Sequence, residues 1–325
     1  MPASSPLIAV VMPVFNEEAV LPQTFARLTA LFDAQPQCRW LAVLVNDGSR
    51  DRSGELLRAQ AARDPRFQTV ELTRNFGFQA ALAAGLAEAA HADAVVTMDA
   101  DLQDPPEVIP ALVDAWQQGA EVVLAVRASR QETGLRRLGM DAFHALFRKL
   151  TDVPLINTNA GTFCLLDRAA VAAFENLPER HRFFPGLRAW VGFTVAQVSY
   201  DRQERAAGQP QQSLGRLIRY ALDGLFSFSR LPLRLLTYCG LFVSGVGFSL
   251  GAFYVTRRLL GIEIAQTGFT TLAVLVLFLG GVQLIGIGVL GEYLGRIYDE
   301  VKQRPLYLVK RRPKGESARQ DHPAP

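Results

Sequence analysis

The stretch Val95-Val-Thr-Met-Asp-Ala-Asp-Leu-Gln-Asp-Pro-Pro-Glu107 decides how the chain is read. The apolar run Ala94 to Met98, bounded by polar punctuation, predicts a buried parallel strand. It runs into two carboxylates, Asp99 and Asp101, with one small residue between them. Residues two apart in extended backbone point the same way, so the pair can face one hard cation, and Gln103 adds a neutral oxygen. In open α/β sheets, ligands bind outside the carboxyl ends of strands, which is where this pair falls. Taken alone, an Asp-x-Asp is equally well a polar loop after a strand. Asp104, with Pro105 and Pro106 behind it and Glu107 three residues on, reads first as a helix N-cap in a capping box.

Working outward, strand signals at Leu7–Val14, Trp40–Val45, Phe67–Leu72, Ala94–Met98 and Glu121–Val126 alternate with helix signals. The helices are expected near Glu18–Phe32, Arg52–Arg63, Gln79–Ala90 and Glu107–Gln118. This rhythm predicts an α/β fold, a mostly parallel sheet with flanking helices. Each strand ends in a polar cluster: Pro13-Val-Phe-Asn-Glu17, Asn46-Asp-Gly-Ser-Arg-Asp51, Thr73-Arg-Asn-Phe-Gly77, the Asp-x-Asp stretch, and Arg127. Any one of them is an ordinary turn or cap. Five on one sheet edge describe a nucleotide crevice with a metal at its floor. Ala160–Leu166 and Phe193–Tyr200 read as further strands that close this domain.

The composition narrows the class. A formal net charge of +3 over 325 residues gives no general case for nucleic acid as a partner. Cys38, Cys164 and Cys239 are far apart and odd in number, which yields neither a disulfide framework nor a zinc spacing. The first apolar run lacks the basic flank and cleavage site of a signal peptide. Basic residues are unevenly placed. Two stretches, around 134–150 and 214–226, carry apolar residues at helical spacing with arginines off the stripe. The first fits a solvated basic face or contact with a membrane surface or an anionic acceptor, and the second an interfacial helix.

Leu233–Tyr254 and Phe269–Leu290 have the length and apolarity to cross a hydrocarbon core, and their many glycines permit close packing. The expected layout is a sheet domain over residues 1–212, an amphipathic interfacial helix over 213–232, a two-helix transmembrane hairpin over 233–298 and a basic tail over 299–325. An even number of spans puts both termini on one side. The basic tail makes that side cytoplasmic, with Arg257 and Arg258 in the connector pulling weakly the other way.

These stretches together resemble an inverting family 2 glycosyltransferase of the GT-A nucleotide-sugar fold. More narrowly, they resemble the polyprenyl-phosphate glycosyltransferases, which include dolichol-phosphate mannosyltransferases and bactoprenol glucosyltransferases. The matching segments are Met12-Pro-Val-Phe-Asn-Glu17, Asn46-Asp-Gly-Ser-Arg-Asp51, Arg74-Asn-Phe-Gly77 and Met98 to Glu107, with a weaker match from Leu222 through Ser229. The resemblance implies transfer of one sugar from a UDP- or GDP-linked donor to an undecaprenyl-type phosphate at a bacterial-type inner membrane. It implies that Pro13, Phe15, Glu17 and Asp47 hold the donor nucleoside. Asp99, Asp101 and Gln103 would bind Mg²⁺ or Mn²⁺ and the diphosphate. Arg127 and Arg130 would receive the lipid phosphate, with Arg202 and Arg205 closing over the site. Asp99, Asp101 and Arg127 are thus the expected catalytic set.

The chain departs from that pattern at Asn159 and at Thr162 and Cys164, where many relatives carry acidic and basic residues, and at Gln211. A lipid phosphate has a second pKa of about 6, so it is largely ionised at neutral pH and needs no carboxylate base to become a nucleophile. Two other functions stand beside the enzyme reading: a non-catalytic nucleotide-binding membrane subunit, and a polysaccharide synthase. The second lacks its expected Gln-x-x-Arg-Trp segment here. Glycine-rich spans leave a homo-oligomer open.

Overall fold

In the computed structural model the described residues are 5–127, 160–180, 182–201, 231–260 and 268–310. The two amphipathic stretches expected around 134–150 and 214–226 lie outside them, as do Arg130, Asn159, Arg202, Arg205 and Gln211. Two compact units result. One contains the sheet and the residues from Arg304 onward, and the other contains the two long apolar helices.

Seven strands build the first unit: β1 (Leu7–Val14), β2 (Arg39–Asn46), β3 (Phe67–Glu71), β4 (Ala94–Thr97), β5 (Val122–Arg127), β6 (Ala160–Asp167) and β7 (Val195–Tyr200). Their order is β3-β2-β1-β4-β6-β5-β7. The first four are mutually parallel, with Val11 opposite both Val43 and Thr97. β6 runs antiparallel to β4 and β5, and β5 and β7 run parallel to one another. The sheet is therefore mostly parallel, as the β-α rhythm predicts. Both further strands are present, and β6 sits inside the sheet between β4 and β5. Phe163, Cys164, Leu165 and Leu166 are each no more than 1% exposed, so this strand has apolar side chains for both faces and is stable only as an interior strand.

The connections are α1 (Leu21–Ala34), α2 (Ser53–Arg63), α3 (Phe78–Glu88), a 3₁₀ turn at Pro106–Val108 and α4 (Ile109–Gln117). They are joined by α5 (Arg168–Glu175) and α6 (Phe184–Trp190), neither of which the sequence reading anticipated. Asp167 caps α5, its carboxylate accepting the Ala169 N–H at 2.8 Å. In the core, Phe32 stacks on Trp40 with ring centroids 5.1 Å apart, and Phe25 meets Phe67 edge-on. α3 lies against β1 and β2 through Gly85, where an added Cβ would come within 2.3 Å of Val11 Cγ1.

The chain returns to this unit after the long helices. Thr73 N–H donates to the Leu308 carbonyl at 2.8 Å, and Lys310 N–H donates to the Glu71 carbonyl at 2.7 Å. Leu72 and Val309 thus form an antiparallel bridge along the outer edge of β3. Glu71 pairs with Arg58 and, at 3.8 Å, with Lys310. A bare β3 edge would otherwise offer unpaired backbone to another chain.

The second unit consists of α7 (Leu231–Leu259) and α8 (Phe269–Val301). At 1.5 Å per residue they are about 44 and 50 Å long, more than a hydrocarbon core requires. Both are long and apolar enough to cross a membrane, over Pro232–Leu250 and Phe278–Val301. Large apolar side chains are outward on both, Phe248 being 81% and Phe242 73% exposed. α8 runs past the expected end at Leu290, where Arg296 is paired with Glu292 one turn earlier.

Gly85→Ala tests the helix-to-sheet approach. Val11 is a stiff β-branched residue with no exposed surface, so it cannot swing aside. Thermal unfolding of the full chain should show a loss of about 1–3 kcal/mol.

Candidate active site

The strand register brings the polar clusters together. β1, β2, β3, β4, β5 and β7 all point one way, so their carboxyl ends share one edge, to which the first residues of the antiparallel β6 also belong. The chain crosses from β1 to β2 on one side and returns to β4 on the other, making the β1–β4 boundary the switch point where a crevice opens.

The first two loops are laced to each other. The Asn16 N–H donates to Ser49 Oγ at 3.1 Å, and the Glu17 N–H to Ser53 Oγ at 2.9 Å. In return the Arg50 N–H donates to Asn16 Oδ1 at 2.8 Å. Asn16 itself adopts a left-handed φ of 56°, a conformation Asn tolerates better than most residues. Pro13 is buried within β1 opposite Val45, while Phe15 and Glu17 are half-buried at the strand's end.

Asp47 is only 2% exposed, and its two oxygens accept the N–H groups of Phe76 at 2.7 Å and Gly77 at 2.9 Å. Burial pushes its carboxyl above the usual range, while those two backbone N–H groups pull it back down. Asp47 therefore ties the β2 loop to the Arg74-Asn-Phe-Gly77 loop. A carboxylate has about four lone-pair sites, so this tie leaves acceptor capacity for a ligand. Gly48 has a φ of 66°, and a Cβ there would lie 2.5 Å from the Arg74 carbonyl carbon, so only glycine allows the two loops to approach this closely. Arg74 stacks over the Phe76 ring at 4.4 Å.

At the end of β4, Asp99 is half-buried and Asp101 is 6% exposed. Thr162 Oγ1 donates to Asp99 Oδ1 in a long contact of 3.4 Å, so one of the departures from the family pattern touches the first carboxylate directly. Asp101 Oδ1 accepts the Gln103 N–H at 3.1 Å. Between them Leu102 has a φ of 58° with its side chain 1% exposed, a costly conformation for a bulky residue. Backbone strain of this kind persists only where surrounding contacts over-determine it. Cys164, the second departure, is fully buried with Sγ 3.3 Å from Thr97 Oγ1.

The N-cap reading of Asp104 is corrected by the structure. The 3₁₀ turn is preceded by Pro105 at its N-cap, without a side-chain cap. Glu107, the other half of the expected capping box, pairs instead with Arg27 of α1, which holds its carboxyl below the usual range. Asp104 points inward, 2% exposed, and accepts a hydrogen bond from the Tyr200 hydroxyl. Arg127 Nη2 lies 4.0 Å from the same Asp104 oxygen. Prolines at 105 and 106 resemble a helix start in sequence, but they equally suit an extended turn that carries Asp104 into the core. Sequence reading missed Tyr200, which carries no motif of its own and becomes visible only through the β5–β7 register that sets it opposite Arg127.

Asp47→Asn should leave one N–H of the Phe76–Gly77 pair facing an amide NH₂ instead of an oxygen. The expected cost is about 1–3 kcal/mol. Hydrogen exchange should speed up at the Phe76 and Gly77 amides first.

Comparison with known proteins identifies the family. Residues 9–174 match the model of the family described as glycosyl transferase family 2. A bactoprenol glucosyl transferase derived from prophage SfII in Shigella flexneri is 44% identical over 309 residues, covering 95% of this chain and 99% of that one. A prophage bactoprenol glucosyl transferase homolog of Escherichia coli K12 is 43% identical over 94% of this chain and 98% of its own length. Among solved structures, glucosyl-3-phosphoglycerate synthase from Mycobacterium tuberculosis with Mn²⁺, UDP and phosphoglyceric acid superposes with a TM-score of 0.49 at 21% identity, covering 68% of this chain and 78% of that one. With its family model matched over residues 9–174 and its relatives matched over 94–95% of its length, the chain belongs to glycosyl transferase family 2.

Proposed function

We propose that this glycosyltransferase moves a single sugar from a nucleotide-sugar donor to a polyprenyl phosphate, with inversion at the anomeric carbon. The observation that carries the reading is the convergence of Asp99, Asp101 and Arg127 on one sheet edge of a chain that also has two membrane-length apolar helices. Relatives that match the chain end to end are named for bactoprenol, which supports a lipid acceptor.

The residues present fit a divalent cation. The donor set at the end of β4 is all oxygen, which suits Mg²⁺ or Mn²⁺ over softer metals. Among the described residues no three His, Cys, Asp or Glu side chains converge into a closed cage. Two carboxylates are enough, because such ions normally complete their shell with substrate phosphates and water. Asp99 and Asp101, with Gln103 beside them, would hold the ion, and when bound it would neutralise the departing nucleotide diphosphate. The residues themselves do the positioning. The laced β1 and β2 loops, with Phe15, Glu17 and Asp47, hold the nucleoside, and Arg127 receives the acceptor phosphate. One phosphate oxygen, already anionic, forms the new bond to the anomeric carbon from the face opposite the diphosphate, whose bond to that carbon breaks. No proton needs to be removed.

The hairpin would cross the membrane twice. Residues 308–310 are hydrogen-bonded to β3, so any membrane crossings between β7 and Arg304 must be even in number. Lys302, Arg304, Lys310, Arg311, Arg312 and Lys314 support the cytoplasm as that shared side.

Two measurements test this reading. Full-length protein in detergent, given Mg²⁺ or Mn²⁺, undecaprenyl phosphate and a panel of UDP- and GDP-sugars, should form one glycosyl phospholipid. Absence of product together with absence of nucleotide binding would sink the proposal. Asp101→Asn keeps an oxygen for the Gln103 N–H but loses the charge, and should lower turnover by about 10²-fold or more. For topology, Gln266→Cys in the connector should react with an impermeant maleimide on intact spheroplasts, and Glu316→Cys in the tail only after lysis.

A further inference from the structure

The trio of Asp104, Tyr200 and Arg127 is not explained by donor binding or by packing. Asp104 and Tyr200 are 2% and 7% exposed, and the phenol donates to Asp104 Oδ1, the oxygen that lies 4.0 Å from Arg127 Nη2. Tyr200 is itself held. It is opposite Arg127 in the β5–β7 ladder, and Phe163 packs edge-on against its ring with centroids 5.6 Å apart. Arg127 is less completely engaged: its side chain is 31% exposed, and its Nε is buried without a hydrogen-bond partner. Gly161 lies beside the guanidinium, where a Cβ would come into contact with Nη2 at 3.4 Å. The Gly161 carbonyl in turn accepts from buried Arg188 at 3.0 Å.

A bare carboxylate beside an arginine meant for a phosphate would be counterproductive. It would draw the guanidinium into a closed pair and repel the incoming anion. Here the tyrosine hydroxyl occupies the carboxylate oxygen that faces Arg127, so Arg127 is steadied without being consumed. Asp104 is also three residues beyond Asp101 on the same loop, so one segment sets both the cation-facing carboxylates and the arginine. We propose that Asp104 and Tyr200 are positioning residues that hold Arg127 in the pose that meets the acceptor phosphate. This rests on Arg127 being the phosphate-binding group.

The test is a double-mutant cycle on full-length protein, with undecaprenyl phosphate and the nucleotide sugar varied separately. Tyr200→Phe keeps the ring and its contact with Phe163 but loses the hydroxyl. Asp104→Asn keeps an acceptor for that hydroxyl but loses the charge. Each should raise the acceptor KM by about tenfold, with the donor KM unchanged. In an Arg127→Ala background neither should add a further increase. The proposal is overturned if Tyr200→Phe and Asp104→Asn leave the acceptor KM as it was, if they shift both substrates equally, or if their effects persist undiminished without Arg127. If Arg127→Ala alone leaves the acceptor KM unchanged, the phosphate-binding reading of Arg127 itself is wrong, which is a different result from either of those.

Discussion

The burial of β4 is the constraint on which the rest depends. Four residues, Ala94 to Thr97, have no exposed surface and are hydrogen-bonded to β1 on one side and β6 on the other. Burying each valine contributes about 1.5–3 kcal/mol, and the one polar member, Thr97, directs its hydroxyl to the Thr162 carbonyl. Nothing charged can be accommodated until the strand leaves the sheet, so the first carboxylates appear at its end. The position of Asp99 and Asp101 is thus a consequence of where apolar burial stops.

That is why so much of the fold was legible in the residues. β1 spans Leu7–Val14 as its apolar pattern predicts, and β2 to β5 differ from expectation only at their termini. Short continuous apolar runs between polar breaks suit interior strands, and where those strands are parallel the loops that follow emerge on one edge. Pair order within the sheet is another matter. Nothing in the apolar run of β6 says that it enters between β4 and β5, because both faces of any interior strand look alike in sequence. The short helices α5 and α6 escaped notice for a different reason: seven or eight residues give a helical period too few turns to show.

The site divides along the same line. Features whose position follows from local spacing, such as the place of the Asp-x-Asp pair just beyond β4, were legible. Those whose surroundings come from distant strands were not. Asp104 is the clearest case, since Asp-Pro-Pro-Glu satisfies the local rule for a helix start, yet Tyr200, 96 positions away, and Arg127 determine where its carboxylate goes. Asp47 lies between these extremes: its turn is local, but its two hydrogen bonds fix a loop 29 and 30 residues downstream.

The bridge between Leu72 and Val309 has a consequence for how the protein is made. A ribosome adds about 5–20 residues per second, so the outer edge of β3 is synthesised well before its partner and waits while both apolar helices emerge. Until then the sheet unit is complete in its core but open along one margin. Closing so long a loop carries an entropic cost that grows only logarithmically with length, so the late addition is thermodynamically affordable although it comes last. A nascent chain stalled before Leu308 would thus expose a strand edge that the finished enzyme conceals.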